Sequence, residues 1–276
     1  MSTRFDAYTA TTTAMKAEEA FPMFFRLGDE VKMTRGHNHF KERLAAVDSS
    51  GNEVGFVQWG GSHGDRIMIE VKGERTPSFV EKLREADQAH RCTRMDSCAD
   101  FDQSGEFERL YGHLRSIKEQ RDIYAQHLGD WDKPEMGRTY FMGAPSSAVR
   151  VRLYEKGKQP EYRHLNKPYW SRLEVQVRPA TTEAKTKYST LTADDAWGAG
   201  RWTRDIAGIV LQNHINPHPA GTTYRLTTDE AALRWMCKQY GSRLLNLADE
   251  LGGWDVLGLT LGEMVKEEQQ RRKRGI

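Results

Sequence analysis

The chain has 276 residues, 38% of them hydrophobic and 29% charged, which is enough length and apolar content for a substantial core in a soluble globular protein. A formal net charge of +2 implies no nucleic-acid partner by itself, and three cysteines (Cys92, Cys98 and Cys237) without paired C-x-x-C spacing exclude a disulfide framework or zinc ribbon and fit a reducing cytoplasm. No cationic segment leading into an apolar core opens the chain, and no apolar run nears the roughly 20 residues that span a bilayer, so neither export nor a membrane anchor is expected.

Residues 1–45 are polar and weakly patterned, with a threonine-rich piece from Thr9 to Thr13, and read as a partly ordered N-terminal arm. From Val54 to Val71 the alternation is strand-like: Val54, Phe56 and Gln58 oppose Gly55, Val57 and Trp59. A Gly-Gly-Ser-His-Gly turn then leads to Ile67–Val71, which predicts a β-hairpin. Pro77 suits the first turn of a helix through Phe79, Leu83 and Ala86. Cys92 to Phe101 reads as a central strand, and Glu106 to His127 as an amphipathic helix with Leu110, Leu114, Ile117, Ile123 and Tyr124 on one face. Short strands follow at 137–143, 152–156 and 170–178. After about Thr222 the pattern changes. Thr228 with Asp229 and Glu230 suits a helix start, Leu233, Met236, Cys237, Tyr240, Leu244 and Leu247 recur at helical spacing, and a last charged helix is expected from about Leu261 to Arg274. Strands and helices without a regular βαβ rhythm predict an α+β fold with a mainly antiparallel sheet, flanking helices and a small C-terminal helical module. The expected division is an arm at 1–45, a catalytic domain at 46–221 and the module with its basic tail at 222–276.

Charge is concentrated in one region. Between Arg138 and Arg178 there are nine Lys or Arg against three Glu and no Asp, and the chain closes on Arg271-Arg272-Lys273-Arg274. Local basic density of this kind fits a phosphate-backbone binder or a solvated basic face. Within it, Arg152, Tyr154 and Lys156 alternate with Val151, Leu153 and Glu155, so an extended strand sets a phenol between two cations. In the next strand Arg172, Glu174, Gln176 and Arg178 share a face opposite Leu173, Val175 and Val177. Two such strands side by side bury one face and offer a phenol, a carboxylate and several cations on the other. A free phenol has a pKa of about 10, so a tyrosine nucleophile needs a cation, base or metal close by.

Taken in order, Arg94-Met-Asp96-Ser-Cys-Ala-Asp100-Phe, Gly137-Arg-Thr-Tyr140-Phe-Met-Gly143, Arg152-Leu-Tyr154-Glu-Lys156 and Trp170-Ser-Arg172-Leu-Glu174 resemble the Rep_trans family. These are replication initiation factors of rolling-circle plasmids and filamentous phages, with related conjugative relaxases. The resemblance covers roughly residues 50–210. One departure is Ala144-Pro145-Ser146-Ser147, where the family often has a polar pair such as Ser-Arg. The resemblance implies a DNA nicking-joining endonuclease that cuts one strand at an origin, keeps the 5′ phosphate on a tyrosine and leaves a 3′ hydroxyl to prime synthesis. It implies Tyr154 as nucleophile, with Arg152 and Lys156 supplying positive potential. Asp96 and Glu174 match acidic positions associated with a divalent ion, Mg²⁺ or Mn²⁺. Arg150, Lys158, Arg172 and Arg178 are the candidate DNA contacts. Origin DNA is the implied partner, with a host helicase and a second copy as further family expectations; no membrane partner is expected.

Spacing limits the acidic set. In a flat strand Asp96 and Asp100 lie about 13 Å apart at roughly 3.3 Å per residue, too far for one ion with ligand distances of about 2.1 Å. Asp96 with Glu174 across the sheet is therefore favoured, with Asp100 a supporting partner or a strand-end cap. Arg172 either holds a phosphate or pairs with Asp96. Tyr140, Tyr162 and Tyr169 are competing nucleophiles, of which Tyr140 has a packing context. His37-Asn38-His39 reads as a surface loop, and Pro217 between His214 and His218 opposes a helical metal pair. Trp197, Trp202 and Tyr169 suit either base stacking or core packing. The same motifs serve an origin initiator, a relaxase with the same chemistry, or a non-catalytic origin-binding regulator on the same scaffold.

Overall fold

A computed structural model of the chain describes residues 3–221 and 228–274. In chain order its elements are β1 (Arg4–Thr12), α1 (Ala17–Ala20), β2 (Glu30–Arg35), β3 (Glu42–Val47), β4 (Glu53–Trp59), β5 (Ile67–Lys72), α2 (Thr76–Ala86), β6 (Arg91–Asp102) and α3 (Glu106–Arg121). These are followed by β7 (Ala125–Gly129), β8 (Arg138–Met142), β9 (Val149–Tyr154), β10 (Trp170–Val177), α4 (Thr182–Tyr188), α5 (Arg201–Ile206), α6 (Thr228–Leu251) and α7 (Trp254–Arg274). The chain divides into two compact units, Met1–Thr223 and Tyr224–Ile276.

The first unit is built on one ten-stranded antiparallel sheet in the order β2-β3-β4-β5-β1-β6-β10-β9-β8-β7. Two half-sheets share one plan: a central strand (β1 or β6) is joined by the fourth strand after it, and the others step back outward to the edge. The α+β reading with a mainly antiparallel sheet holds. The polar arm does not: Arg4–Thr12 is a central strand, paired with β5 on one side and β6 on the other. Its alternation hides in small residues, because Ala7, Tyr8, Thr9 and Ala10 are all buried, so no exposed polar face advertises the strand.

Period-two alternation sorts the side chains. Tyr8, Met95, Leu153 and Val175 point to one face, where α2 packs on β1 and β5, α3 on β8 and β9, and α4 on β6. Phe79, Leu83, Leu110, Leu114, Tyr188 and Trp197 close the core from the helical side. Trp197 is fully buried and its indole N–H donates to the Ser97 hydroxyl (3.2 Å), so it packs rather than stacks on a ligand. Tyr140 is also buried, edge-on to Tyr111.

The helix expected to run to His127 stops at Arg121. Asp122 takes a left-handed conformation (φ 48°), and Ala125–Gly129 then pairs with β8 as the edge strand β7. His37-Asn38-His39 lies in the β2–β3 turn, and His214 and His218 lie in an irregular segment where His218 meets Asp195 (3.2 Å). The second unit is a helical hairpin. Gly252 and Gly253 break the helix with positive φ, the Gly253 N–H donates back to the Ala248 carbonyl, and Ala248 and Leu257 are buried. The last helix begins at Trp254, earlier than expected, since nothing from Trp254 to Thr260 interrupts it. The expected boundary at residue 222 and the side chains of Arg272, Lys273 and Arg274 lie outside the described residues. Among those described, no helix is long and apolar enough to cross a membrane.

Leu153 lies on the core face directly behind the charged one and is completely buried. Leu153→Ala is expected to lower stability by about 2–5 kcal/mol, the usual range for a leucine cavity, read as a lower urea midpoint with unchanged slope.

Candidate functional site

The face of the sheet opposite the helices carries the charge. Antiparallel register places Arg172 beside Asp100 on β6 and Tyr154 on β9, Glu174 beside Cys98 and Arg152, and Gln176 beside Asp96 and Arg150. The residues singled out on three separate strands thus form one patch, in or beside a cleft of about 700 Å³ whose walls include Arg4, Asp6, Arg94, Lys156, Tyr162 and Trp170.

The patch is organised by arginines. Arg172 is almost fully buried and holds Asp100 through Nε and Nη2 (2.7 and 2.8 Å) and Asp6 through Nη1 (2.6 Å). Arg4 Nη2 (2.7 Å) and Trp170 Nε1 (2.8 Å) also donate to Asp100. Burial pushes the Asp100 carboxyl up, but the Arg172 and Trp170 donors and the Arg4 charge together hold it below the ordinary range. Asp100 is therefore a clamp for Arg172 and does not join Asp96 and Glu174. Arg172, for its part, pairs with Asp100 and Asp6 rather than with Asp96.

Asp96 is gripped by Arg94 through Nε (2.9 Å) and Nη2 and receives Gln176 Nε2 (3.2 Å). Glu174 accepts from Arg152 Nη2 (2.8 Å). Burial, with the nearby charges of Asp96 and Asp6, outweighs that one guanidinium and raises the Glu174 carboxyl to about 7. Glu174 in turn holds Arg152 firmly charged. Two buried carboxylates offering oxygen ligands are the donors a hard dication takes. Among the described residues no group of three His, Cys, Asp or Glu is gathered for a metal. Such an ion would rest on Asp96 and Glu174 and take its other ligands from water and phosphate, as Mg²⁺ commonly does.

Tyr154 is only 4% exposed, and the Arg152 guanidinium lies 4.4 Å from its ring centre. Burial foremost, and then the Glu174 charge, push its phenol well above the ordinary value; Arg152 and Arg172 only partly offset them. The phenol is thus protonated in this state. Lys156 does not share the strand as expected, because β9 ends at Tyr154 and Lys156–Lys158 forms a single tight turn. Its ammonium lies over the Tyr162 ring (4.4 Å) and near Trp170 (5.3 Å), and burial foremost, with Arg172, pushes its pKa down. That turn needs Gly157, since a Cβ there would sit 1.8 Å from the Lys167 carbonyl oxygen. Lys158 is tied to Glu155 (2.6 Å), which also holds Arg138. Arg150 stacks on Phe141 (3.9 Å), while Arg178 is exposed and reaches the Pro145 carbonyl.

Sequence reasoning missed Arg4 and Asp6, which were assigned to the arm, and gave no role to Arg94. The signal for Asp6 was the Arg4-Phe5-Asp6 alternation, masked by the threonines that follow. Cys98 lies beside Glu174, but burial pushes its thiol up to about 12, so it is a poor nucleophile.

Arg172→Met would leave Asp6 and Asp100 without their shared cation, and a stability loss of about 3–5 kcal/mol is expected in denaturant titrations. The Glu174 pKa is raised from its ordinary 4.5 to about 7 in the folded state, so the native protein binds the extra proton between those values and loses stability as pH rises through that window. Glu174→Gln removes this slope. The stability difference between variant and wild type should move in the variant's favour from pH 4.5 to 7 and then level off.

No family model matches the chain, and no curated protein matches it. Among solved structures, the rolling circle replication initiator protein from Geobacillus stearothermophilus aligns with a TM-score of 0.48 and 19% identity, over 83% of this chain and 90% of that one.

Proposed function

We propose that the chain is a rolling-circle replication initiator that nicks one DNA strand at an origin through Tyr154 and rejoins it. The observation that carries this reading is that residues of three of the ordered motifs, on β6, β9 and β10, meet on one polar face. Tyr154 lies beside Arg152 there, and the carboxylates Asp96 and Glu174 line the same cleft. In the proposed reaction the phenol oxygen attacks phosphorus, its proton passes to water, and the bond to the 3′ oxygen breaks as that oxygen takes up a proton. Rejoining is the reverse. Arg152 and Lys156 offset charge that develops on the phosphate, and Arg172 holds the strands that frame the site. Mg²⁺ or Mn²⁺ bound by Asp96 and Glu174 would polarise the scissile phosphate and lower the repulsion that keeps Tyr154 protonated.

The burial of Tyr154 favours one other reading, a regulator that binds an origin without cutting it. A relaxase would use the same chemistry at a transfer origin. A host helicase and a second copy remain proposed partners.

The test uses supercoiled DNA carrying the candidate origin, with Mg²⁺ or Mn²⁺, and scores nicked circles and a covalent protein–DNA adduct. Wild type should give both, chelation with EDTA should abolish both, and Tyr154→Phe should form no adduct while still binding. Glu174→Ala should bind yet fail to cut. Adduct formation by Tyr154→Phe would remove the nucleophile assignment, and metal-independent binding without any cutting would establish the regulator.

A further inference from the structure

Around the β8–β9 turn a second cavity of about 520 Å³ is lined by Tyr124, Gly143, Ala148, Val149, Trp202 and Pro219. Tyr124 is 54% exposed and Trp202 half-buried, so two aromatic surfaces are available to a flat ligand. Arg150 follows the lining residue Val149 along β9, and Arg178 lies beside the lining residue Ala148, to whose carbonyl its N–H donates (2.7 Å). The Arg178 guanidinium donates to the Pro145 carbonyl. Arg150 rests on Phe141, and its Nε is buried without a partner. Among the described residues neither arginine has a carboxylate partner. Burial and then the like charges of Arg152 and Arg178 push the Arg150 pKa down. The site already described differs in this respect, since Arg4, Arg94, Arg152 and Arg172 each pair with an acid there.

We propose that this groove binds unpaired DNA, with a base stacked on Tyr124 and Trp202 and adjoining phosphates on Arg150 and Arg178. This deepens the function proposed above and rests on it. Uncompensated cations call for a polyanion, and aromatic walls accept bases of any sequence, the usual combination for single strands. Along β9, Arg150 is four residues from Tyr154, about 13 Å at strand spacing, so a strand leaving the cleft past Arg152 reaches Arg150 next. An apolar peptide would gain nothing from the two arginines, and a second copy would have to bring carboxylates to them.

Binding of a fluorescein-labelled twelve-residue oligo(dT), and of a duplex, is measured by anisotropy, where no cutting is required. Tyr124→Ala should weaken strand binding about 5- to 100-fold, Tyr124→Phe should stay near wild type, and the duplex affinity should hardly change. Replacing Arg150 and Arg178 together with alanine should reduce the slope of log K against log salt by about 1.4, two phosphates at roughly 0.7 each. The proposal falls if Tyr124→Ala, with unchanged melting temperature, binds the strand like wild type. It also falls if that variant only changes self-association in sedimentation, which would mark the groove as a contact between copies. Loss of strand binding in a protein that never cuts would count against the nicking reading alone, whereas normal nicking with normal strand affinity in Tyr124→Ala would count against the groove alone.

Discussion

The Arg172 guanidinium, buried between Asp100 and Asp6, is the contact on which the rest of the charged face depends. It ties β10 to β6 and β1, the three strands at the middle of the sheet, and it does so where few of the charges reach bulk water. Buried ions of this kind add little net stability compared with a well-packed apolar replacement, but breaking one partner leaves a bare charge in a poor solvent. The pairing therefore acts as a constraint on geometry. With Asp100 and Asp6 committed to Arg172, and Arg94 to Asp96, Glu174 keeps Arg152 as its guanidinium, and burial together with the charges of Asp96 and Asp6 raises its carboxyl.

Burial, with the Glu174 charge beside it, explains why a tyrosine flanked by cations is nevertheless held in its protonated form. Proximity to Arg152 and Arg172 stabilises a phenolate, while burial and Glu174 oppose it and prevail. A proton on Glu174 removes part of the opposition. The ionisation of Glu174 and of Tyr154 are thus linked, and burial raises both groups.

Much of this was legible in the sequence because β9 and β10 each keep one face apolar and the other polar. Their alternation of valine and leucine with arginine, glutamate and tyrosine states which side chains face the helices, and antiparallel neighbours then bring the charged set together without further information. β1 was illegible for the opposite reason. Past Asp6 it is covered on both faces, uses alanine, threonine and a single tyrosine, and so has no charged side to alternate. Losing β1 meant losing Asp6, and without Asp6 the role of Arg172 could not be read, because an arginine clamp spans residues far apart in the chain. Ile123 and Tyr124 extended the apolar spacing of α3 past its end, since spacing cannot register the single left-handed residue at Asp122 that turns the chain into an edge strand. The position of Lys156 failed for a similar reason: a strand pattern does not announce where its last ladder bond lies.

The repeated plan of the two half-sheets bears on how the chain is made. During synthesis the first half can assemble once β5 and α2 have emerged, but it then ends in β1, whose second edge has no neighbour. Backbone donors and acceptors along that edge stay open until β6 arrives some twenty residues after β5, and an open edge, uncharged from Ala7 to Thr12, is a template for the wrong strand as well as the right one. The long β6 thus closes the first half and founds the second, so the molecule has no halfway stage at which its middle is complete.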